Sequence, residues 1–273
     1  MLKIITSPQN EAIRLARSLR QRKYRERYGL FLIEGRHLLE EAIDAGVGLE
    51  YLFYDSDFGR SERGQELLAE LRRRRCRCLQ VTKSLMANLS ATVTPPGVLA
   101  IARQQPCSLI DLLTGPGDPF LLVADGVQDP GNLGTMLRTA LAAGARGAVL
   151  TPGTVDLYNE KVARATQGAI FRLPVATAVE PGTLVAAVSR AGWRLVVADV
   201  RGDRVYYDAD LTGPLVLVIG SENQGPDAIL LQAAAVRVRI PLWGAAESLN
   251  AAVAAGILLY EAARQRRRCL PGV

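Results

Sequence analysis

Three short stretches of the 273-residue chain hold the residues that could do chemistry. The first is Asp125-Gly-Val-Gln-Asp-Pro-Gly-Asn-Leu-Gly134, which leads from an apolar run into a helical pattern. A helix start offers free N–H groups and the positive end of its dipole to an anion. Asn132 stands there either as a site residue or as a plain helix cap. Further on, Arg138 lies with Thr135 and Thr139 on the polar stripe of that helix, while Met136, Leu137, Ala140 and Leu141 make the apolar one. An arginine so placed is either solvated or docks a phosphate through two parallel hydrogen bonds.

The second stretch, Gly220-Ser-Glu-Asn-Gln-Gly225, follows the strand-like LVLVIG. Its glycines permit a tight bend and the close approach of a ligand to the backbone. Glu222 either holds a hydroxyl or cationic group there or is the exposed carboxylate of an ordinary turn. The third stretch, Ile240-Pro-Leu-Trp-Gly-Ala-Ala-Glu-Ser-Leu-Asn250, opens the helical AAVAAGILLYEAARQR, with Ser248 and Asn250 where capping is the default role. That helix reads as apolar all round and rich in small residues, hence buried and able to pack closely on a neighbour. Arg264 and Arg266–Arg268 put cations at its negative end.

Other chemistries lack their parts. One histidine, His37, cannot supply the usual hydrolytic triads from within a basic N-terminal unit. Cys76-x-Cys78 without further ligands makes no zinc site, so no metal is expected. Neither a phosphate-binding Walker motif nor a dinucleotide fingerprint occurs.

The elements that must position these stretches follow from the apolar pattern. Phe120–Ala124, Ala148–Leu150, Arg194–Ala198, Leu215–Ile219 and Val236–Ile240 read as strands. Helical patterns alternate with them at 131–144, 158–167, 182–191, 226–234 and 248–264. Such alternation predicts an α/β domain with a mostly parallel sheet covered on both faces. Ligands of such sheets bind beyond the carboxyl ends of the strands, which singles out the loops after Ala124, Ile219 and Ile240. The first hundred residues form a smaller α/β unit, with a helix over 9–19 and strands at Leu30–Glu34, Tyr51–Tyr54, Cys78–Val81 and Val98–Ala102. The Pro/Gly-bearing QQPCSLIDLLTGPGDP is the expected boundary, giving domains 1–104 and 118–273 and a linker at 105–117.

Charge separates the two halves. The net +6 lies wholly within residues 1–105, with 18 Lys/Arg against 12 Asp/Glu, whereas the remainder holds 15 of each. Arg14, Arg17, Arg20, Arg22, Lys23, Arg25 and Arg27 form one basic run, and Arg72, Arg73, Arg74, Arg75 and Arg77 another. These are solvated helix faces or a footprint for a polyanion, nucleic acid being the usual one. Four scattered cysteines, no signal-like N-terminus and no apolar run of about 18 residues predict a cytoplasmic protein without a membrane anchor.

Taken together and in order, DPGNLGTMLRTALAAGA, VIGSENQG and IPLWGAAESLNAAVAAGILLYEAARQR resemble the SpoU (TrmH-like) RNA ribose 2′-O-methyltransferases of the SPOUT superfamily. SPQNEAIRLARSL and FLIEG resemble that family's substrate-binding domain. The resemblance implies a C-terminal SPOUT domain with a deep trefoil knot, and a small N-terminal RNA-binding domain like those of ribosomal proteins. It implies a homodimer joined through the knot region, and S-adenosyl-L-methionine held by the backbone around Gly220, Ile240 and Leu249, with Ser248 and Asn250 nearby. Asn132, Arg138 and Glu222, with Ser248 and Asn250, would then serve methyl transfer, and Arg22, Lys23 and Arg72–Arg75 would grip RNA. The implied substrate is rRNA, most readily 23S rRNA; tRNA, or a catalytically silent RNA-binding role on the same fold, are the alternatives. In the family, the arginine matching Arg138 has been assigned as general base; guanidinium groups rarely deprotonate in proteins, so a role in holding phosphate and stabilising charge is expected instead. Asn223 and Pro226 depart from the family's usual residues in the middle stretch.

Overall fold

The computed structural model describes residues 4–268, less the Arg268 side chain; Cys269 lies outside the described residues. The chain divides into two compact units. One takes in the chain as far as Gln105 together with Asp156–Phe171; the other holds Pro106–Val155 and the chain from Arg172 onward.

In the first unit, α1 (Glu11–Ser18) and α2 (Arg22–Tyr28) precede β1 (Leu30–Glu34). Then come α3 (Arg36–Asp44), β2 (Leu49–Tyr54), α4 (Ser56–Arg60), α5 (Glu62–Arg73), β3 (Arg77–Gln80), α6 (Lys83–Leu89) and β4 (Val98–Arg103). The sheet runs β1-β4-β2-β3, antiparallel except for the β2–β3 pair. Asn10 caps α1 by accepting from the Ala12 N–H at 3.0 Å. Ile13, Ala16 and Leu19 fall on one stripe and are buried against Leu32, Phe53 and Leu99. The helix expected over 9–19 is followed by a second, α2, that the basic run conceals. Arg25 explains its position: the guanidinium is buried, giving Nη1 to the carbonyls of Leu19 (2.8 Å) and Arg20 (2.7 Å), just past the end of α1. Its Nε donates to Asp156 Oδ2 at 2.8 Å, so one cation of the basic run is structural.

In the second unit, α7 (Leu109–Thr114) leads to β5 (Phe120–Asp125), α8 (Pro130–Ala142) and β6 (Gly147–Leu150). The chain then runs through Asp156–Phe171, which holds α9 (Glu160–Ala165) and belongs to the first unit. There the Phe31 ring meets those of Tyr158 (4.8 Å) and Phe171 (6.4 Å). It returns with β7 (Val175–Ala176), α10 (Pro181–Arg190), β8 (Arg194–Ala198), β9 (Arg204–Val205), β10 (Leu215–Gly220), α11 (Ala228–Ala233), β11 (Val236–Arg239) and α12 (Ala251–Arg268). The sheet order is β7-β6-β5-β10-β8-β11-β9, and every pairing is parallel. This is the expected α/β class; the two-residue edge strands β7 and β9 are too short to leave a pattern in sequence. Leu121, Val123, Val216 and Val218 fill the core on one face of the sheet.

Two expectations are corrected. The stretch 105–117 is not a free linker: Ser108 and Asp111 form a reciprocal capping box on α7, and Leu112 and Leu113 are buried in the second unit's core. The last helix is not apolar and buried all round. It buries Ala251, Ala255, Leu258, Leu259 and Ala262, while Val253 and Tyr260 stay more than half exposed.

Candidate active site

The sheet's order reverses around β5 and β10: from β5 the chain steps outward to β6 and β7, then crosses to β8 on the far side of β10. A crevice beyond the carboxyl ends is expected at such a switch point, and a cavity of about 630 Å³ lies beyond β8, β10 and β11. Its wall is built from four chain segments, 198–201, 219–226, 237–242 and 247–254. Gly220, Glu222, Ile240, Ser248 and Leu249 all line it, whereas Asn132, Arg138 and Asn250 do not. The 198–201 segment after β8, with Asp199 and Arg201, was absent from the sequence reading. The carboxyl-end rule applied to Ala198 would have found it.

The middle loop is fixed from two sides. A Cβ on Gly220 would lie 2.2 Å from the Pro226 nitrogen and 2.3 Å from the Gly225 carbonyl carbon, so the backbone closes on itself where only glycine fits. Gly225 turns the loop back at φ +70°, donating its N–H to the Ser221 carbonyl at 3.0 Å. From below, the buried Asp125 carboxylate accepts from the Asp227 N–H at 2.7 Å and from Thr151 Oγ1 at 2.6 Å. Asp125 thus ties the end of β5 to the far end of the loop, a positioning role that its place at a strand tip hinted at and the sequence reading passed over.

Beside the cavity the three sequence stretches meet. Asn132 donates its amide Nδ2 to Glu222 Oε1, and its Oδ1 accepts from Asn250 Nδ2 at 3.0 Å. Asn250 in turn starts α12, its Oδ1 accepting from the N–H groups of Ala252 (2.9 Å) and Val253 (3.3 Å). Asn132 is therefore not the cap of α8; Asp129 is, taking the Asn132 N–H at 2.7 Å and freeing the asparagine side chain for the network. With both ends of its amide engaged, Asn132 fixes the carboxylate of Glu222, which keeps lone pairs to spare. Arg138 is exposed on α8 and makes no ion pair or hydrogen bond among the described residues. Ser248 is exposed at the cavity wall.

The basic residues lie in the first unit. Arg22 pairs with Glu26 at 2.7 Å, and Lys23 is exposed. Arg72 and Arg73 close the last turn of α5, Arg74 follows as its C-cap, and Arg75 adopts φ 63°. Arg73 and Arg74 share Glu70, and Arg74 also donates to the Ile43 carbonyl at 2.7 Å.

The family model described as the SpoU rRNA Methylase family matches residues 119–260, the span that holds the whole network and cavity. The chain belongs to that family. A second model, the MRM3-like substrate binding domain, matches residues 10–100. The chain is 34% identical over 260 residues to the 23S rRNA (guanosine(2553)-2′-O)-methyltransferase RlmP of Bacillus subtilis, covering 95% of this chain and 98% of RlmP. It is similar in structure to the AdoMet-bound rRNA methyltransferase of Sinorhizobium meliloti, with a TM-score of 0.85 and 32% identity over 98% of this chain and 99% of that one. The SpoU methyltransferase AviRb of Streptomyces viridochromogenes in complex with AdoMet matches with a TM-score of 0.84 and 32% identity, over 95% and 100% of the two chains. This SpoU chain therefore shares its architecture with methyltransferases seen holding that cofactor. Among the described residues no helix is long and apolar enough to cross a membrane.

Proposed function

We propose that this chain transfers the methyl group of S-adenosyl-L-methionine to a ribose 2′-hydroxyl of ribosomal RNA, with 23S rRNA as the substrate and the cytoplasm as its setting. The observation that carries the reading is the Glu222–Asn132–Asn250 network, drawn from three separate loops to the rim of one cavity. The cavity suits the cofactor: its volume lies in the range of small-molecule sites, roughly 300–1,000 Å³. Its wall joins apolar Ile240, Leu242 and Leu249 to carboxylates and backbone, a donor set for an adenosine with a charged amino-acid tail. When bound, S-adenosylmethionine supplies a methyl group activated by its sulfonium.

The protein's own groups do the rest. A ribose hydroxyl attacks only when aligned and dry, and Glu222, held by Asn132, is the acceptor that orients it. Glu222 takes the hydroxyl proton as the oxygen bonds to the methyl carbon and that carbon's bond to sulfur breaks. Arg138, without an ion pair among the described residues, takes the neighbouring phosphate through its guanidinium fork. Its fixed charge stabilises the negative charge that grows on the sugar oxygen. Asn250 holds the entrance of α12 at the cavity rim, and Ser248 stands exposed on the cavity wall. We assign RNA recognition to the first unit and methyl transfer to the second, which holds the 118–273 stretch apart from Asp156–Phe171.

Two further features belong to this reading. β10 lies between β5 and β8, and α12 rests on α8 and β10, an arrangement that favours the trefoil knot. The exposed Val253 and Tyr260, with half-buried Gly256 and Ile257 between them, give α12 an apolar face suited to a second copy of the chain. Mapping ribose methylation on total RNA from cells with and without the gene tests the function. Loss of one rRNA site is the expected result; an unchanged rRNA pattern with a lost tRNA site would move the substrate to tRNA.

A further inference from the structure

Resting on that reading, we infer that α2 is a stacking platform for unpaired nucleotides of the RNA, with Tyr28 and Tyr24 taking bases while Lys23 and Arg27 take the backbone phosphates. The Tyr24 and Tyr28 rings, one helical turn apart, stack at 6.2 Å between centroids and within 10° of parallel. Lys23 Nζ lies 4.9 Å from the centre of the Tyr24 ring and the Arg27 guanidinium 5.5 Å from that of Tyr28. The result is two parallel rows along one side of a short helix, one aromatic and one cationic. Tyr28 is 46% exposed, so its ring is not there to fill the core.

The rest of the helix is immobilised for the purpose. On the opposite side, buried Arg25 is fastened to Asp156 and to two carbonyls, and Gly29 ends the helix at φ +63° by donating to the Arg25 carbonyl at 2.9 Å. The surrounding charge points to the same ligand. Arg14, Arg17, Lys23 and Arg27 are exposed and make no ion pair among the described residues. The second basic run is different, since Arg73 and Arg74 are already bound to Glu70. Cations without carboxylate partners gain most from phosphate, because no ion pair must be broken; Lys23 and Arg27 give up only their contacts with the Tyr24 and Tyr28 rings, which frees those ring faces for bases. Aromatic faces distinguish single strands from duplex, in which every base is already stacked.

The test compares the whole protein with Tyr28→Ala, Tyr28→Phe and Lys23→Ala/Arg27→Ala. The probes are a single-stranded RNA 12-mer, the same 12-mer annealed to its complement, and the rRNA substrate. The single strand should bind more tightly than the duplex. Tyr28→Ala should weaken it about 5- to 100-fold, as loss of a base stack does, and Tyr28→Phe should restore it. Removing both cations should flatten the slope of log affinity against log salt by about 1.4. On rRNA, Tyr28→Ala should raise KM while leaving kcat and S-adenosylmethionine affinity unchanged. Equal binding of duplex and single strand, or a Tyr28→Ala variant that binds RNA like the parent, would overturn the inference. Failure of the parent protein to methylate rRNA would overturn the functional reading instead, and the 12-mer comparison would still decide the platform.

Discussion

Arg138 stands on the polar stripe of α8 between Thr135 and Thr139 and makes no ion pair among the described residues, which leaves its guanidinium available for the phosphate role proposed above. Replacement by lysine keeps the charge but removes the planar fork. Arg138→Lys should therefore lower kcat by about tenfold or more while leaving the calorimetric affinity for S-adenosylmethionine unchanged; near-full activity would show that a point charge suffices. What could not be read was the joining of Asn132 to Glu222 and Asn250, which lie 90 and 118 residues away along the chain. Each alone is a plausible cap or turn residue, and only the packed loops reveal which role the side chain takes. Cys76 and Cys78 offer a check on the first unit, with Cys107 of the second unit as reference. A hydrogen bond from Cys76 and the nearby Arg72 charge hold the Cys78 thiol below its ordinary value, while that bond and burial push Cys76 up, and burial raises Cys107. Lowered thiols ionise first as pH rises, so iodoacetamide near neutral pH should modify Cys78 before Cys107 and Cys76 in peptide mass mapping. Earlier labelling of Cys107 would contradict this.

At the scale of elements, the parallel strands were legible because buried strands read as short β-branched and leucine runs with helical periods between them. Boundaries were weaker wherever a local signal had two meanings. Glycine and proline after Thr114 suggested a linker, but they only end α7, whose leucines face the core. The middle loop is the element on which the cavity most depends, because its backbone contact at Gly220 leaves no room for a side chain. Gly220→Ala should force Gly225 and Pro226 outward and abolish cofactor binding by calorimetry. The thermal midpoint should move by only a few degrees, roughly what ~1 kcal/mol produces in a chain of this size. Retained affinity would show that the loop can open without cost to the site.

For the whole molecule, charge set the basic first 105 residues apart from the neutral remainder, yet did not reveal that Asp156–Phe171 would be borrowed from the other domain's stretch of sequence. That excursion depends on contacts of Phe31 with Tyr158 and Phe171, and of Arg25 with Asp156, which no local pattern encodes. Nor did the near-uniform apolarity of the last helix distinguish its buried Leu258 from its exposed Tyr260. If a second copy covers that face, Val253→Asp combined with Tyr260→Asp should convert a dimer to a monomer in sedimentation velocity; a parent protein that already sediments as a monomer would remove the dimer from the account. The most direct test of the central claim is transfer of labelled methyl from S-adenosylmethionine to protein-free large-subunit rRNA, followed by complete alkaline hydrolysis. Methylation of a 2′-oxygen blocks cleavage at its own phosphodiester, so the account predicts label recovered in a single alkali-resistant dinucleotide. Label appearing only in mononucleotides, or none on the rRNA, would contradict it.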